Sequence, residues 1–271
     1  METYSKIEKL LIDINEKNPL VHHITNYVTT NDCANIVLAI GASPVMADAI
    51  NEIEDIVSIS NSLIINIGTL NDTKIESMIK AGIKANKLNI PVILDPVGIS
   101  ASKYRTETIK KLLKEINFSV IRGNLSEIKA LCGIDSISKG VDSREDSCRE
   151  GEKIALMAAK LHNTVIAITG AVDYISDGKK IITLHNGNKI LTKVTGTGCM
   201  TTSLIGAFCG ATQDYFLAAT LGILTMSLSG EIAYDSLKEG DGIGSFKVKL
   251  MDSIYNFSID DINKRGKIYE G

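Results

Sequence analysis

Ser62-Leu63-Ile64-Ile65-Asn66-Ile67-Gly68 is a short, continuous, β-branched apolar run, and it predicts a strand buried on both faces. Asn71 to Leu88 follow with apolar residues at helical spacing, and Ile90-Pro91-Val92-Ile93-Leu94 then repeats the strand pattern. The rhythm continues with a helix from about Ser102 to Ile116, a strand at Ser119-Val120-Ile121 and a short helix from Leu125 to Leu131. A helix from Glu150 to Leu161 leads into Thr164-Val165-Ile166-Ala167-Ile168. Continuous apolar strands alternating with helices imply an α/β fold with a mostly parallel central sheet, covered on both faces.

After Thr169 the pattern changes. Val172 to Ser176, Asp177-Gly178 and Lys180 to Leu184 read as a hairpin. Leu184 to Val194 reads as a short extended stretch, and Gly198 to Tyr234 as long, helical and rich in small residues.

A chain of 271 residues with 44% hydrophobic residues, only four prolines and no linker-like break is expected to form one domain over 1–271. The 29 basic and 32 acidic residues are scattered, giving net −3, which argues against nucleic-acid binding. Asp142-Ser143-Arg144-Glu145-Asp146-Ser147 is expected to be an exposed loop. Five cysteines (Cys33, Cys132, Cys148, Cys199, Cys209) without CxxC spacing imply neither a zinc site nor a disulfide framework. Tyr215 to Met226, the longest apolar stretch, falls short of the ~20 residues a bilayer requires. The charged N-terminus opens a helix rather than a signal peptide, so a cytoplasmic protein with no membrane partner is expected.

Val194-Thr195-Gly196-Thr197-Gly198-Cys199-Met200-Thr201-Thr202 is a glycine-rich turn entering a small-residue helix. Free N–H groups at a helix start, together with the helix dipole, suit a phosphate. Cys199 falls in the first turn, where a thiol is expected to shift toward its thiolate. The stretch is neither a P-loop, since no Lys follows the second glycine, nor a dinucleotide fingerprint, since the third glycine is missing. Taken alone, such a turn is more often structural than a nucleotide site.

Support comes from the ends of the predicted strands, where open α/β sheets bind ligands. Asp95 ends one strand, Arg122 another and Thr169 a third, while Glu127 opens a helix. Two carboxylates suit Mg²⁺ completed by phosphates and water. An arginine grips phosphate in bidentate fashion, and a threonine hydroxyl adds a contact. Each residue also has a plainer role: Asp95 or Asn124 capping a helix, Arg122 pairing with Glu127, Thr169 ending a strand. His22-His23 lack accompanying ligands at metal spacing and suit packing or a place near substrate.

Five segments together carry a resemblance. They are Asn18-Pro19-Leu20-Val21-His22-His23-Ile24-Thr25-Asn26, Gly41-Ala42-Ser43-Pro44-Val45-Met46, Leu94-Asp95-Pro96-Val97-Gly98, Ile121-Arg122-Gly123-Asn124-Leu125-Ser126-Glu127 and the turn ending at Cys199. In these the chain resembles the hydroxyethylthiazole kinase family of the ribokinase-like superfamily. The resemblance implies a three-layer α/β/α fold and transfer of the ATP γ-phosphoryl group to the primary alcohol of 4-methyl-5-(2-hydroxyethyl)thiazole. It also implies a homotrimer with sites at subunit interfaces. Carried over by motif, Arg122, Thr169 and Gly198 are expected to contact ATP, and Asp95 and Glu127 to face Mg²⁺. Asn26, Met46 and Gly196 are expected to contact the thiazole. Cys199 stands where most ribokinase-like relatives carry an aspartate base. Competing readings are another small-alcohol kinase, an ATP-dependent hydrate dehydratase, a thiazole- or nucleotide-binding sensor without turnover, and an acyl-transfer nucleophile at Cys199. The last lacks a recognisable histidine partner.

Overall fold

In the computed structural model, residues 2–134 and 144–271 are described, with side chains over 4–134 and 150–271. The first half runs α1 (Glu2–Lys17), β1 (Leu20–Ile24), α2 (Thr30–Ala39), β2 (Ser43–Met46), α3 (Ile53–Ile59), β3 (Ser62–Asn66), α4 (Asp72–Lys87) and β4 (Val92–Asp95). Next come α5 (Lys103–Glu115), β5 (Val120–Asn124), α6 (Leu125–Leu131), α7 (Arg144–His162), β6 (Val165–Thr169), β7 (Asp173–Ser176) and β8 (Ile181–Leu184). A 3₁₀ turn at Lys189–Lys193 precedes α8 (Thr197–Ala211), α9 (Tyr215–Asp235), α10 (Ile243–Tyr255), α11 (Ile259–Arg265) and β9 (Ile268–Glu270).

One sheet carries all nine strands in the order β2-β1-β3-β4-β5-β6-β7-β8-β9. Its pairings are parallel from β2 through β6 and antiparallel from β6 to β9. The predicted hairpin is β7–β8. Several helices begin where the sequence supplies a cap. The side chains of Asn71, Ser102, Asn124 and Asp214 each accept a backbone N–H in the first turn of α4, α5, α6 and α9.

The period of two along each strand divides the apolar residues between two cores. Val21, Ile64, Ile93, Val120 and Ala167 pack on the side of α1, α2, α8, α9, α10 and α11. Ile24, Leu63, Ile65, Leu94, Ile121 and Ile168 pack on the side of α3 to α7. Continued to the strand ends, the same alternation directs Asn66, Asp95, Arg122 and Thr169 to the face covered by α8 and α9. Sheet geometry therefore gathers the polar residues before any of them makes a contact.

Four expectations are corrected. The Leu184–Val194 stretch is not simply extended, because Asn188 accepts the Ile190 N–H and starts the 3₁₀ turn. The helical run after Gly198 is two helices, broken at Thr212-Gln213-Asp214, where Asp214 caps α9. That second helix has 21 residues, long and apolar enough to cross a bilayer, but 89% of its most apolar window is buried inside the protein. Arg144 to Ser147 belong to α7 rather than to a loop, and Asp142 and Ser143 lie outside the described residues.

Candidate active site

Gly196 sits at the start of α8 with φ +89°, and a Cβ there would come within 2.5 Å of the Thr29 Cγ2. Both the backbone conformation and the crowding demand glycine. Two residues on, a Cβ at Gly198 would come within 2.7 Å of the Arg122 Nη1. The missing side chain is what lets Arg122 pass beside the helix start.

On one side of this start lies a cluster centred on Cys199. Asn26 and Asn66 each donate an amide N–H to its Sγ, both at 3.3 Å. Asn66 Nδ2 also donates to Asp95 Oδ2 at 3.0 Å, and Thr202 Oγ1, one turn along α8, donates to the same oxygen at 2.8 Å. Asn66 and Asp95 are register partners at the ends of adjacent parallel strands, so their side chains leave the sheet together. Asp95 is fully buried, and its Oδ1 has no partner. Burial raises its carboxyl to about 6, against the opposing pull of Arg122, whose Nη1 lies 4.0 Å from Oδ2.

The expected acidification of Cys199 is corrected. Burial pushes the thiol up, and the neighbouring Asp95 charge adds to it, while the hydrogen bonds from the asparagines oppose both. A helix start lowers a thiol pKa where solvent reaches it; here desolvation outweighs that effect.

On the other side is a cavity of about 640 Å³. Arg122, Thr169 and Gly198 line it, together with Asp173, Asn188 and apolar residues such as Leu191 and Met226. Arg122 donates to Thr169 Oγ1, and its buried Nε has no partner. Asp173 accepts the Gly170 N–H at 2.9 Å, and burial raises its carboxyl to about 7.

The plainer alternative of an Arg122–Glu127 pair is not what the geometry gives, since Arg122 turns to Thr169 and Asp95. Asn124 does cap α6, and Glu127 completes a reciprocal capping box with it. Glu127 Oε2 accepts the Asn124 N–H and Oε1 accepts the Gly98 N–H, at 2.8 and 2.9 Å. Met46 stands apart, half-buried at the end of edge strand β2, beside His23. Both histidines are buried on β1: His22 Nε2 meets the Ala47 carbonyl, and His23 Nε2 lies 3.1 Å from Ser203 Oγ. Both are held by hydrogen bonds within the core. Among the described residues no group of three or more His, Cys, Asp or Glu forms a metal cluster.

Sequence reasoning missed Asn66, Thr202 and Asp173. Asn66 carried the same signal as Asp95, a polar residue ending an apolar strand. Thr202 is signalled only by its i+3 spacing from Cys199, and Asp173 only by its place at the head of the hairpin.

A hydrogen-bonded cluster around Cys199 thus adjoins a cavity of about 640 Å³. A solved structure from Enterococcus faecalis, described as a ribokinase-like superfamily protein, superposes with TM-score 0.63 at 12% identity, covering 89% of this chain and 87% of that one. That similarity establishes the ribokinase-like fold alone. The structure of a hydroxyethylthiazole kinase protein from Pyrococcus horikoshii OT3 superposes with TM-score 0.89 at 40% identity, over 98% of this chain and 99% of that one. Hydroxyethylthiazole kinase from Alkaliphilus oremlandii is 54% identical over 270 residues, covering 100% of both chains. The hydroxyethylthiazole kinase family model matches residues 11–260. With identity at this level along its whole length, the chain belongs to the hydroxyethylthiazole kinase family.

Proposed function

We propose that Cys199, Asp95, Arg122 and the α8 turn carry the family's reaction here, transfer of the ATP γ-phosphoryl group to the alcohol of 4-methyl-5-(2-hydroxyethyl)thiazole. The observation that carries this reading is the placement of Cys199 Sγ and Asp95 in one hydrogen-bonded cluster directly beside the Arg122–Thr169 cavity. A kinase needs a polyphosphate grip adjoining a proton acceptor, and these two regions supply them.

In this reading Arg122 and Thr169 hold the ATP phosphates, and the N–H groups from Gly196 to Cys199 receive the transferred group. Asn26, Gly196 and Met46 bound the thiazole. Cys199 orients the alcohol and takes its proton late. The alcohol oxygen bonds to the γ-phosphorus as the bond to the bridging oxygen breaks, and ADP leaves. The acceptor is the thiolate form of Cys199, scarce because burial holds the thiol's pKa up. Phosphoryl transfer has a loose transition state, so a sparsely populated base suffices while positioning and charge neutralisation supply most of the rate.

Magnesium fits part of the expected donor set. Asp95 Oδ1 is a buried carboxylate oxygen without a partner, the kind of ligand a hard cation takes. Glu127 spends both oxygens on backbone N–H groups, so it supports the site from a fixed position. Bound Mg²⁺ would neutralise phosphate charge, with phosphates and water completing its shell.

The reading treats 1–271 as one cytoplasmic kinase domain, supported by the continuous sheet from β1 to β9 and by free thiols at Cys33, Cys132, Cys199 and Cys209. It includes the family's homotrimer, supported by exposed Tyr27 and Val28 beside Asn26 and by Met46 on an edge strand. ADP release is the test, with ATP, Mg²⁺ and the thiazole alcohol against other alcohols and no acceptor. Thiazole-dependent turnover is expected. Tight binding without turnover would make the protein a sensor, and turnover of another alcohol alone would overturn the substrate.

A further inference from the structure

Asn66 occupies the centre of the Cys199 cluster and has no role in the reading above. Its side chain makes four hydrogen bonds, and they fix which way the amide faces. Gly68 N–H, which can only donate, meets Asn66 Oδ1 at 2.9 Å. The nitrogen must therefore lie on the opposite side, where it donates one hydrogen to Asp95 Oδ2 and the other to Cys199 Sγ. Asn26 is oriented by the same logic. Its Oδ1 accepts the Thr29 N–H and hydroxyl, which turns its Nδ2 to Asn66 Oδ1 and to Cys199 Sγ.

The sulfur thus accepts two N–H groups from amides that cannot rotate without stranding a backbone donor. In the thiolate they occupy two of its three lone pairs, which leaves one to take the proton of an alcohol. The same Asn66 nitrogen spans sulfur and carboxylate, setting the separation between proton acceptor and cation-side acid. Asn66 is 1% exposed, so bulk solvent does not compete for its amide in the folded protein.

We propose that Asn66 is a positioning residue for phosphoryl transfer, holding the Cys199 sulfur at a fixed place relative to the Asp95 carboxylate. The proposal rests on the reading of Cys199 as proton acceptor.

A double-mutant cycle on the full-length enzyme tests it, using Asn66→Ala, Cys199→Ala and the two combined. Asn66→Ala is expected to lower kcat tenfold or more while KM for ATP and for the thiazole alcohol stays within about twofold. In the Cys199→Ala background the same change is expected to cost less than about twofold, because the sulfur it positions is gone. An equal loss in both backgrounds would overturn the proposal, since a structural role does not depend on the sulfur. Near-normal kcat in Cys199→Ala alone would instead overturn the proton-acceptor reading, and the single variant reveals this independently. Should Asn66→Ala not fold, as judged by its thermal transition, Asn66→Ser retains an oxygen for the Gly68 N–H and serves in the same cycle with the same outcomes.

Discussion

On the Cys199 side of the α8 start, Asn26 and Asn66 commit all four of their amide hydrogens to Cys199, Asp95 and one another. On the Arg122 side, the guanidinium keeps a buried nitrogen without a partner and faces a cavity of about 640 Å³. The first region is closed by the protein's own hydrogen bonds at every point but Asp95 Oδ1. The second opens onto that cavity, where the proposed ATP phosphates would meet the guanidinium. Closely bonded groups suit a reaction step in which a small displacement costs rate, and spare donors suit binding. Loss of a group should therefore reduce kcat in the first region and raise KM for the nucleotide in the second.

Asp95 touches both regions and gives the largest expected effect. Asp95→Ala leaves Asn66, Thr202 and Arg122 facing no carboxylate, and kcat/KM should fall by up to roughly a thousandfold, the upper scale of losing a key electrostatic group. A fall below about tenfold would mean that neither region depends on it. Cys199→Ala comes next, with kcat down roughly a hundredfold or more, as expected for general-base loss, and KM for ATP little changed. Cys199→Asp restores the superfamily's usual acid and should recover part of that rate. Steady-state kinetics on both variants separates a base from a bystander. Arg122→Ala should mainly raise KM for ATP, by about ten- to a hundredfold, the worth of charged hydrogen bonds at ~1.5–3 kcal/mol. An unchanged KM with reduced kcat would erase the contrast between the regions.

The smallest effect concerns stability. The Asp173 carboxyl is raised from 3.8 to about 7, so between those values the folded state binds more protons than the unfolded one. The stability it contributes is full below about pH 4 and is lost as pH rises toward 7. Asp173→Asn lacks this loss, so its Tm relative to wild type should increase between pH 5 and pH 8. A Tm difference independent of pH would show that the carboxyl does not titrate there.

Much of this was legible in the sequence, for identifiable reasons. Apolar strands alternating with helices specify the parallel half of the sheet, and a polar residue terminating such a strand marks Asp95, Arg122 and Thr169. Asn66 met the same criterion, but an asparagine before Ile67-Gly68 also reads as a turn former. The break between α8 and α9 had its own signal in the cap at Asp214, overridden by the density of small apolar residues on either side. What a linear reading cannot supply is desolvation. The first turn of a helix predicts an acidic thiol, and only the packing of α8 against β3 and β4 reveals the opposite. Glu127 illustrates the same limit: its type suits a cation, and its capping box becomes visible only with the geometry of Asn124.

Gly198 and Arg122 lie on different elements, far apart in the chain, yet only the hydrogen at one makes room for the guanidinium of the other. Neither position is free to drift alone: a larger residue at 198 evicts the arginine, and a shorter residue at 122 leaves a void that glycine no longer has reason to preserve. The two positions are coupled in this fold, and a substitution at 198 is expected to act through the placement of the guanidinium at 122.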